Sequence, residues 1–441
     1  MSSVKKAFLL FLLFVVLLPS VLKDQLSVFA ESDPSGQNVK NVILMIPDGF
    51  SSAHAANYRI FKEGEFVLDS ILVGMMKTHS KNSWVTDSAA AGTAMATGVK
   101  TRNGFIGIDE DGNSLKTILE AAKEEGKGTG LVGTKSITDA TPAAFATHVH
   151  TRQNEGEIAR QLMNKVDVLL GGGERNFLPA SSGGVQEQRN LIKEAESSGY
   201  TFVQTKSELA EVKPNVEKLL GLFADNMMAA EIDRHRTEEP SLQEMTETAL
   251  ALLRRNNNGF FLMVEGSKID RAGHAHDPAW VMHDIAAFES AVITALEFAE
   301  KDGETLVVVA GDHDTGGMSV GGYDEYRAEP EMLRKVEATA QFIAQCFNSE
   351  RTNISEVMKQ YTHLDVTKSE INELYRADIE KVPYLIAQIV SRSAYIDWVT
   401  YEHTGVDVPI YAYGPRSSLF QGVLDNTDLP KRIAKAMKIN F

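Results

Sequence analysis

Three short apolar runs in this sequence are each followed closely by acidic residues, and this pattern constrains the fold more than any other feature. The runs span residues 41–46, 260–264 and 306–310 and consist mainly of Val, Ile, Leu, Met and Phe. Uninterrupted runs of this length are typical of strands that are buried on both faces of a parallel sheet. Ligands of such sheets bind at the carboxyl ends of the strands. We therefore predict an α/β fold whose functional site lies at that edge.

The residues after these runs are of the types that bind metal ions. They are Asp48 after the first run, Glu265, Asp270 and His274 after the second, and Asp312 and His313 after the third. Asp270 and His274 are four residues apart, which places both on one side of a helical turn. Carboxylate together with imidazole suits zinc. A single such pair is more often a surface feature, but its repetition at three strand ends favours a polynuclear metal site.

Ser88 stands where a loop meets a run of small, helix-compatible residues that ends near Gly98. The N-terminus of a helix presents unpaired N–H groups and the positive end of the helix dipole, so phosphate binds there readily. A serine hydroxyl at this point is well placed to attack phosphorus. The alternative is that Ser88 only caps the helix, which is the commonest use of serine in this position. The local pattern leaves both interpretations open.

The first 30 residues are predicted to be a signal peptide. Lys5 and Lys6 precede an apolar stretch, residues 7–18, that is too short to span a bilayer comfortably, and small residues favour cleavage after Ala30. The alternative is an uncleaved membrane anchor. After cleavage, residues 31–441 would form an exported domain without stable membrane insertion, either secreted or held in the periplasm or cell wall.

Charge and cysteine content narrow the function further. The formal net charge of −16 opposes nucleic-acid binding, which requires a basic surface. Cys346 is the sole cysteine, so an intrachain disulfide is impossible. An exported protein of this kind must depend on its core, or on bound metal, for stability.

Strand-like and helix-like segments alternate along the chain, which favours α/β architecture. Helices are predicted over residues 115–125, 154–164, 240–255 and 278–301, and strands over residues 130–134 and 166–170. Residues 318–398 differ, because they are charged and mostly helical in pattern. We interpret them as an insertion over or beside the active-site edge, where a lid, a dimer contact and a substrate filter are equally compatible with the sequence.

Short segments of this chain, in the same order, resemble those of alkaline phosphatases. They are Asp48-Gly49, residues 86–94, 139–143, 148–152, 264–274 and 311–313, and Glu402-His403-Thr404-Gly405. The resemblance extends from about residue 40 to 435, and only residues 178–235 and 318–398 are poorly covered. It implies a three-layer α/β sandwich with a large, mostly parallel central sheet flanked by helices. It also implies an exported bacterial enzyme that hydrolyses phosphate monoesters through a phosphoserine intermediate and releases inorganic phosphate.

The resemblance also implies two Zn²⁺ ions and one Mg²⁺ ion. One zinc ion would be bound by Asp270, His274 and His403, and the other by Asp48, Asp312 and His313. Asp48 would also bridge to magnesium. Thr141 and Glu265 would complete the magnesium site, and Asp139 would support it through water. These are the ligand types that each ion prefers.

The resemblance assigns substrate binding and catalysis to four further residues. Ser88 would be the nucleophile, and Arg152 would hold two phosphate oxygens with its planar fork. Asp87 would orient Arg152. Arg271 stands where many bacterial relatives carry Lys and animal relatives carry His, at a position that reaches phosphate through water.

This sequence differs from the family pattern at several places, and these differences affect the expected substrate preference more than the expected reaction. The usual disulfides are absent, and residues 314–318 and the insertion that follows have their own sequence. Phosphorylated small molecules are the expected substrates, and a homodimer is a further implication. A phosphodiesterase or sulfatase-like relative on the same metal scaffold is the alternative, and a non-catalytic metal- or phosphate-binding protein is a third hypothesis, which the presence of a nucleophile disfavours.

The remaining histidines are predicted to have no direct role. We expect surface positions for His54, His79, His235 and His363. Structural or supporting roles are expected for His148, His150, His276 and His283, which lie near the motifs.

Overall fold

The three apolar runs form neighbouring strands in the middle of a ten-stranded sheet. The computed structural model describes residues 38–441, so the predicted signal peptide lies outside the described residues. The strands are β1 (Asn41–Ile46), β2 (Leu72–Lys77), β3 (Gly128–Ser136), β4 (Val168–Gly172), β5 (Tyr200–Val203), β6 (Lys218–Leu222), β7 (Phe260–Glu265), β8 (Thr305–Ala310), β9 (Asp314–Thr315), β10 (His403–Thr404), β11 (Val408–Tyr413) and β12 (Gly422–Asp425).

The large sheet has the order β12-β2-β11-β8-β1-β7-β3-β4-β6-β5. Strand β11 is antiparallel to both of its neighbours, β8 and β2, and every other neighbouring pair is parallel. This confirms the mostly parallel sheet. Strands β9 and β10 form a separate antiparallel pair. Because β8, β1 and β7 are adjacent and parallel, their carboxyl ends open onto one edge of the sheet.

The helices lie between the strands in sequence and cover the sheet. They are α1 (Ser52–Lys62), α2 (Ser88–Thr97), α3 (Ile118–Glu124), α4 (Ala140–Ala144), α5 (Glu155–Leu162), α6 (Leu191–Ser197), α7 (Lys206–Ala210), α8 (Glu231–Arg234), α9 (Leu242–Leu253), α10 (Lys268–His274), α11 (Pro278–Asp302), α12 (Ala340–Gln345), α13 (Ile354–Thr362), α14 (Lys368–Arg376), α15 (Val382–Ser393) and α16 (Asp428–Met437). Short 3-10 helices occur at Val67–Ile71, Glu174–Asn176, Ala180–Ser182, Pro330–Lys335, Ile379–Lys381 and Ser417–Phe420.

Each face of the sheet has its own hydrophobic core, which confirms the predicted three layers. Side chains of a strand alternate between the two faces. In β1, Ile43 and Met45 pack into the cluster that contains α9 and α11. Leu44 and Ile46 pack into the opposite cluster, with α2, α3 and α16. Burial on both faces explains why the strand is apolar throughout rather than alternating with polar residues.

Helix α11 follows its predicted bounds closely, since Asp277 caps its first turn and Pro278 occupies the first helical position. The helix is long and apolar enough to cross a membrane, but 67% of its most apolar window is buried inside the protein. It is therefore a core helix. Helix α3 begins later than predicted because Thr117 and Glu120 form a capping box that fixes its start.

The segment interpreted as an insertion, residues 318–398, is mostly helical as predicted and includes α12 to α15. Its helices enclose a small core of their own, to which Ile343, Met358, Leu374 and Ile386 contribute. Asp277 links this segment to the main domain by accepting a hydrogen bond from the backbone N–H of Ala340, with a distance of 2.8 Å. The segment ends just before the loop that carries His403.

Candidate active site

Three buried carboxylates meet where the central strands end. Glu265 is the last residue of β7 and pairs in register with Ile46 of β1. Asp48 follows β1 by two residues, and Asp312 follows β8 by two residues. All three side chains are fully buried. The strand order thus brings together residues that are more than 200 positions apart in the chain.

Asp48, Asp312 and His313 form one group that can hold a metal ion, with ligand atoms within 4.8 Å of one another. The Nε2 atom of His313 lies 3.1 Å from an oxygen of Asp312 and 3.6 Å from an oxygen of Asp48. The backbone N–H groups of Gly49 and His313 both donate to Oδ1 of Asp312 and orient its carboxylate. Oδ2 of Asp312 faces His313.

Asp270, His313 and His403 form a second group that can hold a metal ion, and His274 lies beside it. Helix α10 places Asp270 and His274 on one side, as their spacing predicted, with 3.2 Å between Nε2 of His274 and Oδ1 of Asp270. The Nε2 atom of His403 is 3.4 Å from the same oxygen and 3.2 Å from Nε2 of His274. His313 also belongs to this region, because its ring stacks on that of His403 with centroids 3.6 Å apart.

Backbone carbonyls fix the orientation of these imidazoles. Nδ1 of His274 donates to the carbonyl oxygen of Tyr401, and Nδ1 of His403 donates to that of Thr86. A carbonyl can only accept, so each Nδ1 carries the proton and each Nε2 is left to bind a cation. His403 reaches this position through the short pairing of β10 with β9, in which His403 is opposite Thr315.

The donor atoms of this region fit metal ions, because several buried oxygens accept no hydrogen bond from any residue in 38–441. They are both carboxylate oxygens of Asp48 and one oxygen each of Asp139, Thr141, Glu265 and Asp312. Two of these oxygens have an ion-pair contact, since Nζ of Lys135 lies 3.2 Å from Oδ2 of Asp139 and 3.5 Å from Oδ2 of Asp48. Burying the oxygens of Thr141 and Glu265 without a partner is costly. Burial together with Asp270 and Asp312 raises the pKa of Asp48 well above its usual range. Burial and Asp139 raise the pKa of Glu265 to about 8. A divalent cation would relieve both penalties.

Thr141 and Asp139 approach this cluster from the start of α4. Asp139 is the residue before the helix, and Thr141 is fully buried in its first turn. Helices α2 and α4 pack closely because Gly92 has no side chain. A Cβ atom there would lie 3.1 Å from Cβ of Ala144 and 3.4 Å from Cα of Thr141. The close packing brings the backbone of Thr141 alongside the helix that begins with Ser88.

Ser88 is the first residue of α2, and its side chain does not cap the helix. Asp87 is the cap, since its Oδ1 accepts from the backbone N–H of Ala90 at 3.0 Å. Ser88 is 1% exposed, and its Oγ lies 3.1 Å from Nε2 of His313. The hydroxyl is therefore placed between the helix N-terminus and the histidine shared by the two groups.

Arg152 lies between two carboxylates at the same edge. Its Nη1 is 3.4 Å from Oδ2 of Asp87, and its Nη2 is 3.3 Å from Oδ1 of Asp139. These contacts hold the plane of the guanidinium group, as expected for a residue that clamps phosphate. Asp87 thus contacts Arg152 and caps the helix of Ser88 at the same time.

Arg271 is not part of this cluster. Its side chain is exposed and has no hydrogen bond or salt bridge to any residue in 38–441. It lines a cavity of about 500 Å³ together with Lys268, Trp280 and Phe342. His274 lines the same cavity, so Arg271 lies beside the metal-ligand residues without a direct contact to them.

Sequence reasoning missed Lys135, whose ammonium group lies among the carboxylates. Its Nζ is 3.2 Å from oxygens of both Asp139 and Asp270, and 3.5 Å from Asp48. Burial disfavours the charged form, but these carboxylates raise the pKa of Lys135 well above its usual value. The available signal was its position at the end of β3, four residues before Asp139.

Thr315 is a second residue that was missed, since its hydroxyl donates to Oδ1 of Asp270 at 2.7 Å.

Among the other histidines, His54 is not at the surface as predicted but completely buried. Its Nδ1 accepts from the backbone N–H of Ser51 and lies 3.6 Å from Asp314. Capping of α1 at its buried end therefore explains His54. His235 and His363 are exposed, as predicted, and His79 is half-buried.

Comparison with known proteins agrees with this geometry. The alkaline phosphatase family profile matches residues 39–439. Alkaline phosphatase 3 of Bacillus subtilis is 40% identical over 426 residues, which cover 91% of this chain and 90% of that protein. Alkaline phosphatase of Escherichia coli is 31% identical, with 90% of this chain and 85% of that protein covered.

Solved structures show the same architecture. The cold-active alkaline phosphatase of Shewanella sp. superposes with a TM-score of 0.83 at 33% identity, covering 90% of this chain and 99% of that one. The Thermus thermophilus enzyme also gives 0.83, at 30% identity and 94% coverage of each chain. The fold, the clustered metal-ligand types and these similarities lead to one conclusion: the chain belongs to the alkaline phosphatase family and is an enzyme that hydrolyses phosphate monoesters.

Proposed function

We propose that hydrolysis proceeds through a phosphoserine intermediate on Ser88. The observation that carries this proposal is the position of the Ser88 hydroxyl. Ser88 is the first residue of α2, Asp87 rather than Ser88 caps the helix, and Oγ of Ser88 lies 3.1 Å from Nε2 of His313. The free N–H groups of a helix N-terminus favour a negatively charged phosphoryl group at this point. A serine used only for structure would not need this placement.

We further propose two Zn²⁺ ions and one Mg²⁺ ion as cofactors. The first zinc ligands are Asp270, His274 and His403, and the second are Asp48, Asp312 and His313. Thr141, Glu265 and Asp48 would bind magnesium, with Asp139 acting through water. The unpaired oxygens described above support this division, since hard oxygen donors suit magnesium. A related structure, a TAB5 alkaline phosphatase variant at 28% identity, contains Mg in its M3 site.

The chemistry divides into two displacements at phosphorus. Oγ of Ser88 forms a bond to phosphorus, and the bond from phosphorus to the ester oxygen breaks, so the alcohol leaves with a proton. Water then bonds to phosphorus, the bond to Oγ breaks, and inorganic phosphate leaves with Ser88 restored. When bound, the metal ions supply positive charge that stabilises the attacking and leaving oxygens and lowers the pKa of a bound hydroxyl.

Arg152 binds and orients the phosphoryl group in this scheme. Its two outer nitrogens lie close to Asp87 and Asp139, which keep the guanidinium plane in place at the edge of the cluster. The charge of Arg152 persists at all relevant pH values, because the two carboxylates raise its pKa above an already high value despite burial. Two charge-assisted hydrogen bonds to phosphate oxygens give both affinity and orientation.

Substrates, location and assembly follow from the same comparison and from the sequence. Phosphorylated small molecules are the proposed substrates, with Arg271 at the mouth of the site assisting the binding of phosphate. Export through the signal peptide at residues 1–30 is proposed from its charge-then-apolar order. The exported domain would comprise residues 31–441, with residues 318–398 as its insertion. A homodimer is proposed from the family resemblance.

Trapping the intermediate tests this proposal. The protein is mixed with a phosphate monoester or with inorganic phosphate and quenched in acid, and the phosphorylated peptide is then identified by mass spectrometry. Phosphate on Ser88, absent from the Ser88→Ala variant, is the expected result. Phosphate on another residue, or none in a preparation that turns over substrate, would show that the reaction takes another route.

A further inference from the structure

We propose that Lys135 is a built-in cation of the metal centre, which holds three carboxylates of that centre together and must leave when magnesium binds. This inference rests on the proposed function, because it concerns the same carboxylates. Its consequence is that Lys135 stabilises the metal-free protein and weakens the binding of magnesium.

The contacts of Lys135 place its charge among ligand oxygens. Nζ lies 3.2 Å from Oδ2 of Asp139, 3.2 Å from Oδ2 of Asp270 and 3.5 Å from Oδ2 of Asp48. The lysine side chain is 11% exposed, and those of Asp48 and Asp270 are at most 4% exposed. One ammonium group thus contacts one carboxylate from each of three separate chain segments.

The backbone directs Lys135 into the cluster. In β3, Gly133 pairs with Glu265 at the end of β7. Lys135 lies two residues further along, within the irregular stretch between Val132 and Ser136 where the register of β3 against β4 shifts. The strand therefore delivers the lysine to the edge where the central strands deliver their acids.

Lys135 satisfies only part of the cluster. One oxygen each of Thr141 and Glu265 still accepts no hydrogen bond from any residue in 38–441. An ammonium group has three donors, whereas Mg²⁺ takes six oxygen ligands. The lysine therefore neutralises charge that would otherwise be uncompensated, and a divalent ion completes the coordination that the lysine leaves open.

A lysine ammonium and a divalent ion compete for these oxygens. The lysine contacts Asp48, which would bind magnesium directly, and Asp139, which would act through water, and two positive charges at a few ångströms repel each other strongly where water is excluded. The flexible four-carbon chain of lysine allows the ammonium to withdraw. Loading of the ion therefore has to displace Lys135, and this displacement subtracts from the affinity for magnesium.

Lys135→Met is the informative variant, because methionine keeps the length and burial of the side chain and removes its charge. Lys268→Met is a matched control. Lys268 is also buried, but its Nζ donates to the carbonyl oxygen of Met228 and lies 5.1 Å from the centre of the Trp280 ring. Lys135→Gln is a second variant, which keeps a polar group in the site.

Two measurements are made on each full-length protein. Thermal unfolding is followed after chelation and again with saturating zinc and magnesium. Magnesium is also titrated calorimetrically into the zinc-loaded protein, a readout that does not depend on activity. We expect Lys135→Met to widen the gap in Tm between the metal-free and metal-loaded forms and to tighten magnesium binding roughly ten- to a hundredfold. Lys135→Gln should change both quantities in the same direction, and Lys268→Met should change neither.

The results separate this inference from the function on which it rests. If the parent protein binds neither ion, the proposed metal centre is wrong, and the inference falls with it. If the parent binds magnesium and both Lys135 variants bind it with the same affinity, only the role of Lys135 is wrong. A Lys135→Met protein that folds with metal but not after chelation would support the role of the lysine in the metal-free state.

Discussion

At the start of α2, two neighbouring side chains have separate tasks. Asp87 caps the helix through Ala90, accepts from the backbone N–H of Gly104 and contacts Arg152. Ser88 is thereby left to face His313. If Ser88 capped the helix, its hydroxyl would be less available for the proposed reaction. Asp87 provides the cap instead. The capping interpretation of Ser88 that the sequence left open is therefore wrong.

Replacing Ser88 with alanine should lower hydrolysis at least roughly a thousandfold, because Ser88 is the nucleophile proposed above. Zinc content should not change, since the metal ligands are independent of this hydroxyl. Kinetics and metal analysis on the same preparation test both statements. Ser197→Ala, an exposed serine on α6, is the control. A rate near that of the parent would remove Ser88 from the mechanism.

Replacing Arg152 with alanine should weaken phosphate binding more than it disturbs the fold. Losing one such charge-assisted partner costs roughly 1.5–3 kcal/mol, or about ten- to a hundredfold in affinity. The inhibition constant of inorganic phosphate and the substrate KM should both rise, with zinc occupancy unaltered. Arg189→Ala removes an exposed arginine that pairs with Glu194 and serves as the control. Equal inhibition constants for parent and variant would place Arg152 outside the pocket.

At the scale of elements, the start of α3 is tied to the segment that leads to Arg152. Glu120 completes the capping box with Thr117 and also accepts from Nε2 of His148, at 3.1 Å. Nδ1 of His148 faces the carbonyl oxygen of Gly107 at 2.7 Å. Both ring nitrogens thus face acceptors, which favours the doubly protonated ring and raises the pKa of His148. The carboxylate of Glu120 therefore holds both the start of α3 and the segment that carries His148 in place.

This arrangement predicts a pH-dependent contribution to stability. Burial acts to raise the pKa of Glu120, but hydrogen bonds from His148 and Thr117 hold it at about 2, below the ordinary value of 4.5. A depressed pKa stabilises the folded state above pH 4.5, and this contribution is lost as pH falls from 4.5 towards 2. Glu120→Gln, which preserves the cap, should lower the free energy of unfolding by about 1–2 kcal/mol at pH 7.

Denaturant unfolding of the chelated parent and variant at several pH values measures this difference, and chelation prevents metal loss from contributing. The gap between the two proteins should shrink below pH 4.5. A gap that stays constant down to pH 3 would mean that the charge of Glu120 is not the source of its stabilising effect.

At the scale of the whole molecule, the carboxylate cluster joins both halves of the sheet. Its members come from the ends of β1, β7 and β8 and from the start of α4, on opposite sides of the central strands. Unless their charge is compensated, these groups repel each other at the point where the two hydrophobic cores meet the surface. Metal binding is therefore coupled to the stability of the entire fold.

Removing metal should lower the melting temperature as well as the activity. An ion present at a thousand times its Kd stabilises the folded state by about 4 kcal/mol, which corresponds to roughly 5 °C for a protein of this size. Melting curves with and without chelator, with metal content measured in each sample, test this prediction. Adding zinc and magnesium back should restore the midpoint. An unchanged midpoint after confirmed metal loss would mean that the cluster is not a metal site.

Local sequence patterns were sufficient for the central strands, for the helices with clear start signals and for the choice of ligand types, but they left strands such as β2, β6 and β11 unpredicted. Buried parallel strands need continuous apolar runs, and a helix start needs a capping residue, so both leave short-range signals such as Asp277-Pro278. The spacing of Asp270 and His274 likewise follows from helical geometry. These properties depend on neighbours within a few residues, and the chain carries them before it folds.

Which distant residues meet was decided by packing. The order β8-β1-β7 brings Asp48, Glu265 and Asp312 together, and the pairing of β10 with β9 brings in His403. The direction of a side chain at a strand end or on a short helix depends on the surrounding layers. Lys135, which sequence reasoning missed, therefore contacts the cluster, whereas Arg271, to which the family resemblance gave a role in phosphate binding, makes no direct contact with it. The burial of Lys135 and of the carboxylates around it depends on the folded edge of the sheet, because the segments that cover them are far apart in the chain.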